Sequence, residues 1–199
     1  MLFVDKNGLV DAERIIVKRF STIERGKLNK VNGIVVHQTG GSTAESSFNS
    51  YNNTGANGAH FLIDKDGAIY QTASVFRVTN HVGNIRSRCY MEKTCTPSEI
   101  STIKPLLNKY KQLSRLEQKK PYPERYPANF DSLGIEIVGK PTSGEGENAV
   151  YEKINDAQNS SLRWLMAELT DTLKVSMTEI FRHPEVSYKV KTEAGTARW

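Results

Sequence analysis

The segment Ile180-Phe-Arg-His183-Pro-Glu-Val-Ser-Tyr-Lys-Val-Lys191-Thr-Glu193-Ala-Gly195 places an imidazole ten residues before a carboxylate, with a lysine two residues ahead of that carboxylate. Far upstream, Ile34-Val-Val-His37-Gln-Thr-Gly carries a second imidazole at the end of an apolar run. Two imidazoles and one carboxylate are the donor set of a catalytic zinc, which takes three protein ligands and keeps a fourth position for water. Water activated this way is a nucleophile near neutral pH, so His37, His183 and Glu193 together point to hydrolysis. Either histidine alone would more often be structural; the combination carries the chemistry.

Three other positions could serve that reaction. Glu136 is the one acid in Ser132-Leu-Gly-Ile-Glu-Ile-Val. Facing a cleft, its raised pKa would suit it to take a proton from the activated water and pass it to a leaving amine. On the solvated face of an edge strand it would do neither. Lys191 can stabilise an oxyanion, or it is one of a surface pair with Lys189. His81, in Asn80-His81-Val-Gly83, reads as a substrate contact or as support for a ligand. His60, in an alternating strand, reads as structural.

These residues need elements to hold them. Residues 31–37 read as a short buried strand. Ser42-Thr-Ala-Glu45 is a capping-box signature opening a helix to about Tyr51. Ala59–Asp64 and Ala68–Thr72 flank Asp66-Gly67, a hairpin signal. Val75–Val82 reads as a further strand, 132–139 as another, and Thr178–Arg182 as the strand delivering His183. Between 155 and 174, Leu162, Leu165, Met166, Leu169 and Leu173 recur at helical spacing. Ile15–Phe20 is a candidate strand in the N-terminal 30 residues, which are the hardest to read. The order predicts an α/β (α+β) fold: a central mixed β-sheet flanked by helices. All of 1–199 reads as one domain, with core 31–83 and 132–199 and a helical insertion at about 84–130.

The bulk properties narrow the setting. With 199 residues, 38% apolar and 25% charged, the chain has the composition of a globular domain. No run of 18 apolar residues exists, which argues against membrane insertion. The N-terminus lacks a basic region followed by an apolar one, so no secretory signal is read there. Lys104 to Arg125 holds seven basic residues and two acids, a net of +5 that equals the excess of the whole chain. That is a solvated helix face or a patch for a polyanion; no nucleic-acid module accompanies it. Cys89 and Cys95 are the only cysteines. They form a small disulfide loop, implying an oxidising compartment, or remain two reduced thiols.

Four blocks in order resemble the zinc-dependent N-acetylmuramoyl-L-alanine amidases of the peptidoglycan-recognition-protein fold, the amidase-2 type. They are Val35-Val-His37-Gln-Thr39; Ala59 to Gln71 with Asn80-His81-Val-Gly83; Ser132-Leu-Gly-Ile-Glu136-Ile; and Arg182-His183-Pro-Glu-Val through Lys191-Thr-Glu193-Ala-Gly195. The resemblance implies zinc on His37, His183 and Glu193, catalysis by Glu136 and Lys191, and substrate contacts from Thr39, Asn80 and His81. It implies a peptidoglycan or muropeptide substrate, cut between N-acetylmuramic acid and L-alanine. Glu193 departs from the family's usual Asp or Cys, and the 84–130 insertion exceeds its compact core. A non-catalytic peptidoglycan binder of the same fold is the alternative. Without a signal peptide, the biological roles open are phage endolysin, cytoplasmic recycling enzyme, and antibacterial toxin of the type VI effector kind. The last is preferred. It would act as a monomer in a rival's periplasm and be matched by an immunity protein.

Overall fold

The computed structural model describes residues 2–199. Six short strands, rich in isoleucine and valine, build the central sheet: β1 (Ile15–Val17), β2 (Gly33–Gln38), β3 (Phe61–Ile63), β4 (Ile69–Gln71), β5 (Ser132–Ile137) and β6 (Ile180–Arg182). Their order across the sheet is β6-β2-β5-β3-β4-β1. Only β3 and β4 pair antiparallel, across the Asp66-Gly67 turn; every other neighbour is parallel. The sheet is therefore mixed, and β6, β2 and β5 lie side by side with their C-terminal ends at one edge.

Alternation along these strands divides two faces. Ile34, Val36, Leu133, Ile135, Ile137, Phe61 and Ile63 point to one side, where Leu162, Leu165, Met166 and Leu169 of α5 (Asp156–Leu173) pack on them in one buried cluster. Asn155 caps α5 reciprocally with Gln158. Val35 and His37, Gly134 and Glu136 must by the same alternation face the other way. That side is covered by α1 (Ala44–Tyr51) and by the segment that leads to α6 (His183–Val186). Both faces are thus buried, which is why the strands read as continuous apolar runs.

Several boundaries shift from the sequence reading. Thr43, not Ser42, caps α1, accepting the Ser46 N–H at 3.2 Å. The expected strand at Val75–Val82 shortens to Arg77–Thr79 and pairs with Glu24–Lys27 in a separate ribbon. Ile15–Phe20 shortens to β1, which adds to the sheet edge beside β4. Phe3–Val4 with Val10–Asp11 and Pro141–Ser143 with Val150–Tyr151 form two more ribbons without an alternating pattern long enough to read.

The 84–130 region is helical: α2 (Arg88–Glu92), α3 (Pro97–Ile103) and α4 (Tyr110–Glu117). Pro105 lacks a backbone donor, and the chain tightens there into a 3-10 turn at Lys104–Leu106 instead of continuing one basic helix. Cys89 and Cys95 are bonded to each other, closing the loop between α2 and α3. The base of this region is fixed by the buried pair of Arg125 with Asp131, at 2.7 and 3.2 Å. No helix among the described residues is long and apolar enough to cross a membrane.

Because α5 supplies one whole wall of the core, Leu165→Ala is expected to cost about 3 kcal/mol of unfolding free energy. Urea denaturation followed by circular dichroism checks this; an unchanged midpoint would contradict the packing role.

Candidate active site

The parallel strands bring three functional groups to one rung of the sheet. His37 and Glu136 are direct register partners on β2 and β5. Arg182 pairs with Val36, so His183, the next residue, arrives beside His37. Clefts at the carboxyl ends of parallel strands are where α/β sheets bind ligands, because the chain must diverge there. Glu193 comes from the C-terminal turn and completes the group: single donor atoms of His37, His183 and Glu193 all lie within 4.8 Å of one another. All three side chains are buried.

The protons of this cluster can be assigned from its hydrogen bonds. Ser132 spends its only hydroxyl proton on the Ala128 carbonyl at 2.6 Å. His81 Nε2 faces the Ser132 hydroxyl oxygen at 3.2 Å and the Ser132 carbonyl at 3.4 Å, so that nitrogen must be the donor. Burial, then the neighbouring imidazoles, hold the His81 pKa well below its ordinary value, so the ring is neutral and Nδ1 is bare. His37 Nε2, 3.0 Å away, donates to it. Burial and the nearby His183 hold His37 at about 4, so it too is neutral and its Nδ1 carries a lone pair. His183 Nε2 donates to the Val82 carbonyl at 2.9 Å, which turns its Nδ1 toward Glu193.

The result is three potential metal-ligating atoms aimed at one another, with a hydrogen bond joining His183 and Glu193. His183 Nδ1 lies 2.8 Å and His37 Nδ1 3.6 Å from Glu193 Oε1. Burial would raise the Glu193 pKa, but His183 and His37 outweigh it and hold the carboxyl at about 2. Lone pairs converging like this repel unless a proton or a cation lies among them. Two neutral imidazoles and an ionised carboxylate are the state in which such groups bind a divalent metal. The donors therefore fit zinc, and Glu193 reaches the site despite its extra methylene.

One short segment backs both imidazoles. His81 supports His37, and the Val82 carbonyl supports His183. Asn129 fixes the segment, its Oδ1 accepting the backbone N–H groups of His81 at 3.0 Å and Val82 at 2.7 Å. Gly134 lets the ring of His81 lie against β5: an added Cβ there would come within 2.8 Å of ring atoms. His60 is structural, as expected. It accepts the Gly134 N–H at 3.0 Å and donates to the Arg77 carbonyl at 2.8 Å.

Beside the metal set lies an open cleft of about 900 Å³. Glu136 is on its wall, half-buried, and Oε2 has no hydrogen-bond partner. Burial, reinforced by the charge of Glu193, pushes its pKa up to about 8. Tyr51 also lines the cleft; the sequence reading missed it, although it ends α1 one turn beyond Phe48 on the buried face. Thr39 and Asn80 line the cleft as expected. The Thr39 hydroxyl is already engaged, accepting the N–H groups of Gly41 and Gly139 at 3.1 and 3.2 Å. Asn80 Oδ1 accepts from Asn129 at 3.4 Å. Of the two lysines in this loop, both exposed, Lys189 lines the cleft and the expected Lys191 does not.

A mixed α/β sheet with a three-donor metal set and a carboxylate at its strand ends defines a hydrolase architecture. The chain belongs to the N-acetylmuramoyl-L-alanine amidase family, whose model matches residues 27–196. A search among curated proteins finds no match. Among solved structures, the fold is similar to N-acetylmuramoyl-L-alanine amidase LysC from Clostridium intestinale URNW. The identity is 17% and the TM-score 0.51, with 89% of this chain and 87% of that one covered. It is also similar to AmpD, at 16% identity and a TM-score of 0.53 (92% and 87% covered). PlyL matches at 14% identity and a TM-score of 0.54 (88% and 84% covered). At these identities the likeness concerns the fold alone.

Two predictions follow from the proton assignment and the buried acid. His81→Leu removes the acceptor behind His37 and is expected to weaken zinc binding by about 10- to 100-fold, with His81→Gln retaining more. Chelator competition reads this without substrate; unchanged affinity with a raised KM would make His81 a substrate contact instead. For Glu136, the folded pKa of about 8 lies above the ordinary 4.5. Its favourable contribution is therefore complete below pH 4.5 and lost as pH rises through 8. Metal-free Glu136→Gln should gain stability over the parent as pH rises from 5 to 9, by the order of a few kcal/mol. Thermal melts across that range that stay parallel would refute the raised value.

Proposed function

We propose that this chain is a zinc-dependent peptidoglycan amidase that cleaves the bond between the lactyl carbonyl of N-acetylmuramic acid and L-alanine of the stem peptide. The observation that carries the reading is Glu136, an acid without a partner at Oε2, one strand from the His37 ligand. An unsatisfied buried carboxylate oxygen is costly and is expected where a reacting group completes it. A zinc ion held by His37, His183 and Glu193 would supply Lewis acidity to water and to the amide carbonyl. Glu136 takes the proton of the attacking water and returns it to the departing amine nitrogen. With positive charge at the donor set its pKa falls from about 8 toward neutrality, where one group can do both.

Lys189 lies on the cleft wall and lowers the proton affinity of both Glu136 and His37. It is better placed than Lys191 for the oxyanion role. Asn57, Asn80 and Asn84 offer amide groups to the N-acetyl and peptide functions of the substrate. The role of delivered antibacterial enzyme, neutralised by an immunity protein in the producer, is part of the same proposal. The closed Cys89–Cys95 pair supports action in an oxidising compartment such as the periplasm.

Digestion of muropeptides with mass analysis of the products tests the bond. Release of free stem peptide is expected, abolished by chelator and by His37→Ala, and reduced by at least about 100-fold in Glu136→Ala with zinc content retained. Products still joined at the lactyl amide, or full activity of Glu136→Ala, would end the proposal. In the same series, directing the protein to the periplasm of a bacterium should cause lysis, and cytoplasmic expression should not; harmless periplasmic expression would remove the effector role.

A further inference from the structure

The arm formed by α3 and α4 carries charge that the cleft does not use. From Pro97 to Lys120 there are six basic residues and two acids. Lys120 takes both acids, lying 3.4 Å from Glu99 and 3.0 Å from Glu117. Lys104, Lys109, Lys111, Arg115 and Lys119 remain, all exposed, and the arm has no free carboxylate to neutralise them. Lys111, Arg115 and Lys119 follow at four-residue spacing and so run along one outer side of α4 and its last turn, while Leu113, Ser114 and Glu117 face inward. Like charges at that spacing weaken a helix. An anionic partner would relieve the repulsion.

This arm is joined to the cleft rim. Tyr110, between Lys109 and Lys111, stacks on Tyr188 with ring centroids 4.0 Å apart. The Arg86 guanidinium sits 4.9 Å over the same Tyr188 ring and donates to the Ser187 carbonyl at 2.8 Å. The Ile85 N–H holds Ser114 of α4 at 3.0 Å. Lys189, next to Tyr188, lines the cleft and among the described residues is the one lysine or arginine that does. A cationic strip therefore runs from the cleft wall, over two stacked tyrosines, to the outer side of α4.

We propose that this strip is an exosite for polymeric peptidoglycan. It holds carboxylates of stem peptides next to the one being cut, so the chain works faster on intact wall than on soluble fragments. The inference rests on the amidase reading of the cleft. The strip's positive charge matches a strand that presents a free carboxylate at each stem, and the exposed Tyr110, stacked on the half-buried Tyr188 beside cations, suits a sugar-peptide surface. Its attachment beside Lys189 places such a strand so that it can enter the cleft.

The test compares the parent with a variant carrying Lys109→Gln, Lys111→Gln, Arg115→Gln and Lys119→Gln. Hydrolysis is measured on sacculi and on a soluble disaccharide-peptide, at low and at physiological salt. Sedimentation of chelator-treated protein with sacculi measures binding without cleavage. The variant should lose about tenfold on sacculi and stay within about twofold on the fragment, and only the parent should be strongly salt-sensitive. Amidation of the sacculus carboxylates should abolish the parent's advantage. Equal losses on both substrates, or unchanged rate and sedimentation on sacculi, would overturn the exosite. So would binding that survives amidation, or binding to phosphatidylglycerol vesicles without binding to sacculi. If neither protein cleaves the fragment but only the parent sediments, the exosite stands and the hydrolytic reading fails.

Discussion

Three donor atoms that converge on one point set the terms for the rest of this molecule. His37 Nδ1, His183 Nδ1 and Glu193 Oε1 cannot stay close in a buried site unless positive charge lies among them. The fold meets this constraint by fixing each donor from behind. The pleat of β2 aims His37, and His81 orients its ring. The end of β6 delivers His183, and the Val82 carbonyl orients that ring. Gln38, the neighbour of His37, accepts the Ala194 N–H at 2.9 Å and so ties the turn of Glu193 to the same strand. The end of the 84–130 region takes part as well. Ala128 takes the Ser132 proton that would otherwise compete for His81, and Asn129 holds the backbone of His81 and Val82.

The two carboxylates of the site are driven apart by the same surroundings. Glu193, paired with two imidazoles, is held at about 2, while Glu136, half-buried with one oxygen unpartnered and facing the charge of Glu193, is pushed up to about 8. Titratable groups separated in this way have separable tasks. One is permanently anionic and suited to hold a cation. The other changes protonation near neutrality and suits proton transfer. Their separation depends on register: a one-residue slip between β2 and β5 would turn Glu136 into the apolar cluster under α5. Six consecutive paired residues along β2 and β5 resist that slip.

How far the site could be read from sequence depended on where each interaction originates. His37, His183, Glu193 and Glu136 were legible because strand patterns and a short ligand loop fix their neighbourhoods locally. The mixed sheet, the Asp66-Gly67 hairpin and α5 were legible from period and turn chemistry. For His81 the pattern left open a substrate contact or support for a ligand; the support follows from a hydroxyl proton on Ser132, 51 residues away in the chain. Thr39 looked like a substrate contact, but its hydroxyl staples the ends of β2 and β5 through Gly139. The lysine of the ligand loop differed by two residues because spacing gives no account of which way an irregular turn faces. The short ribbons at the N-terminus and at Pro141–Tyr151 pair over too few residues to leave a periodic trace.

The 84–130 region also explains where the charge of the chain acts. A cleft lined by histidines, asparagines and serines, with Lys189 as its single lysine or arginine among the described residues, exerts little long-range pull on an anionic polymer. The stretch from Lys104 to Arg125 instead carries a net +5, equal to that of the whole protein. Charges clustered on one exposed face steer encounter far more than the same number spread evenly, since screening removes contributions beyond about 8–10 Å. The arm can serve catalysis only if its position relative to the cleft is rigid. The Tyr110–Tyr188 stack, the Ser114 hydrogen bond and the buried Arg125–Asp131 pair supply that rigidity at three separate points. The Asn129 clamp on the ligand-backing segment lies two residues from that last pair, so a shift of the arm would reach the metal donors themselves.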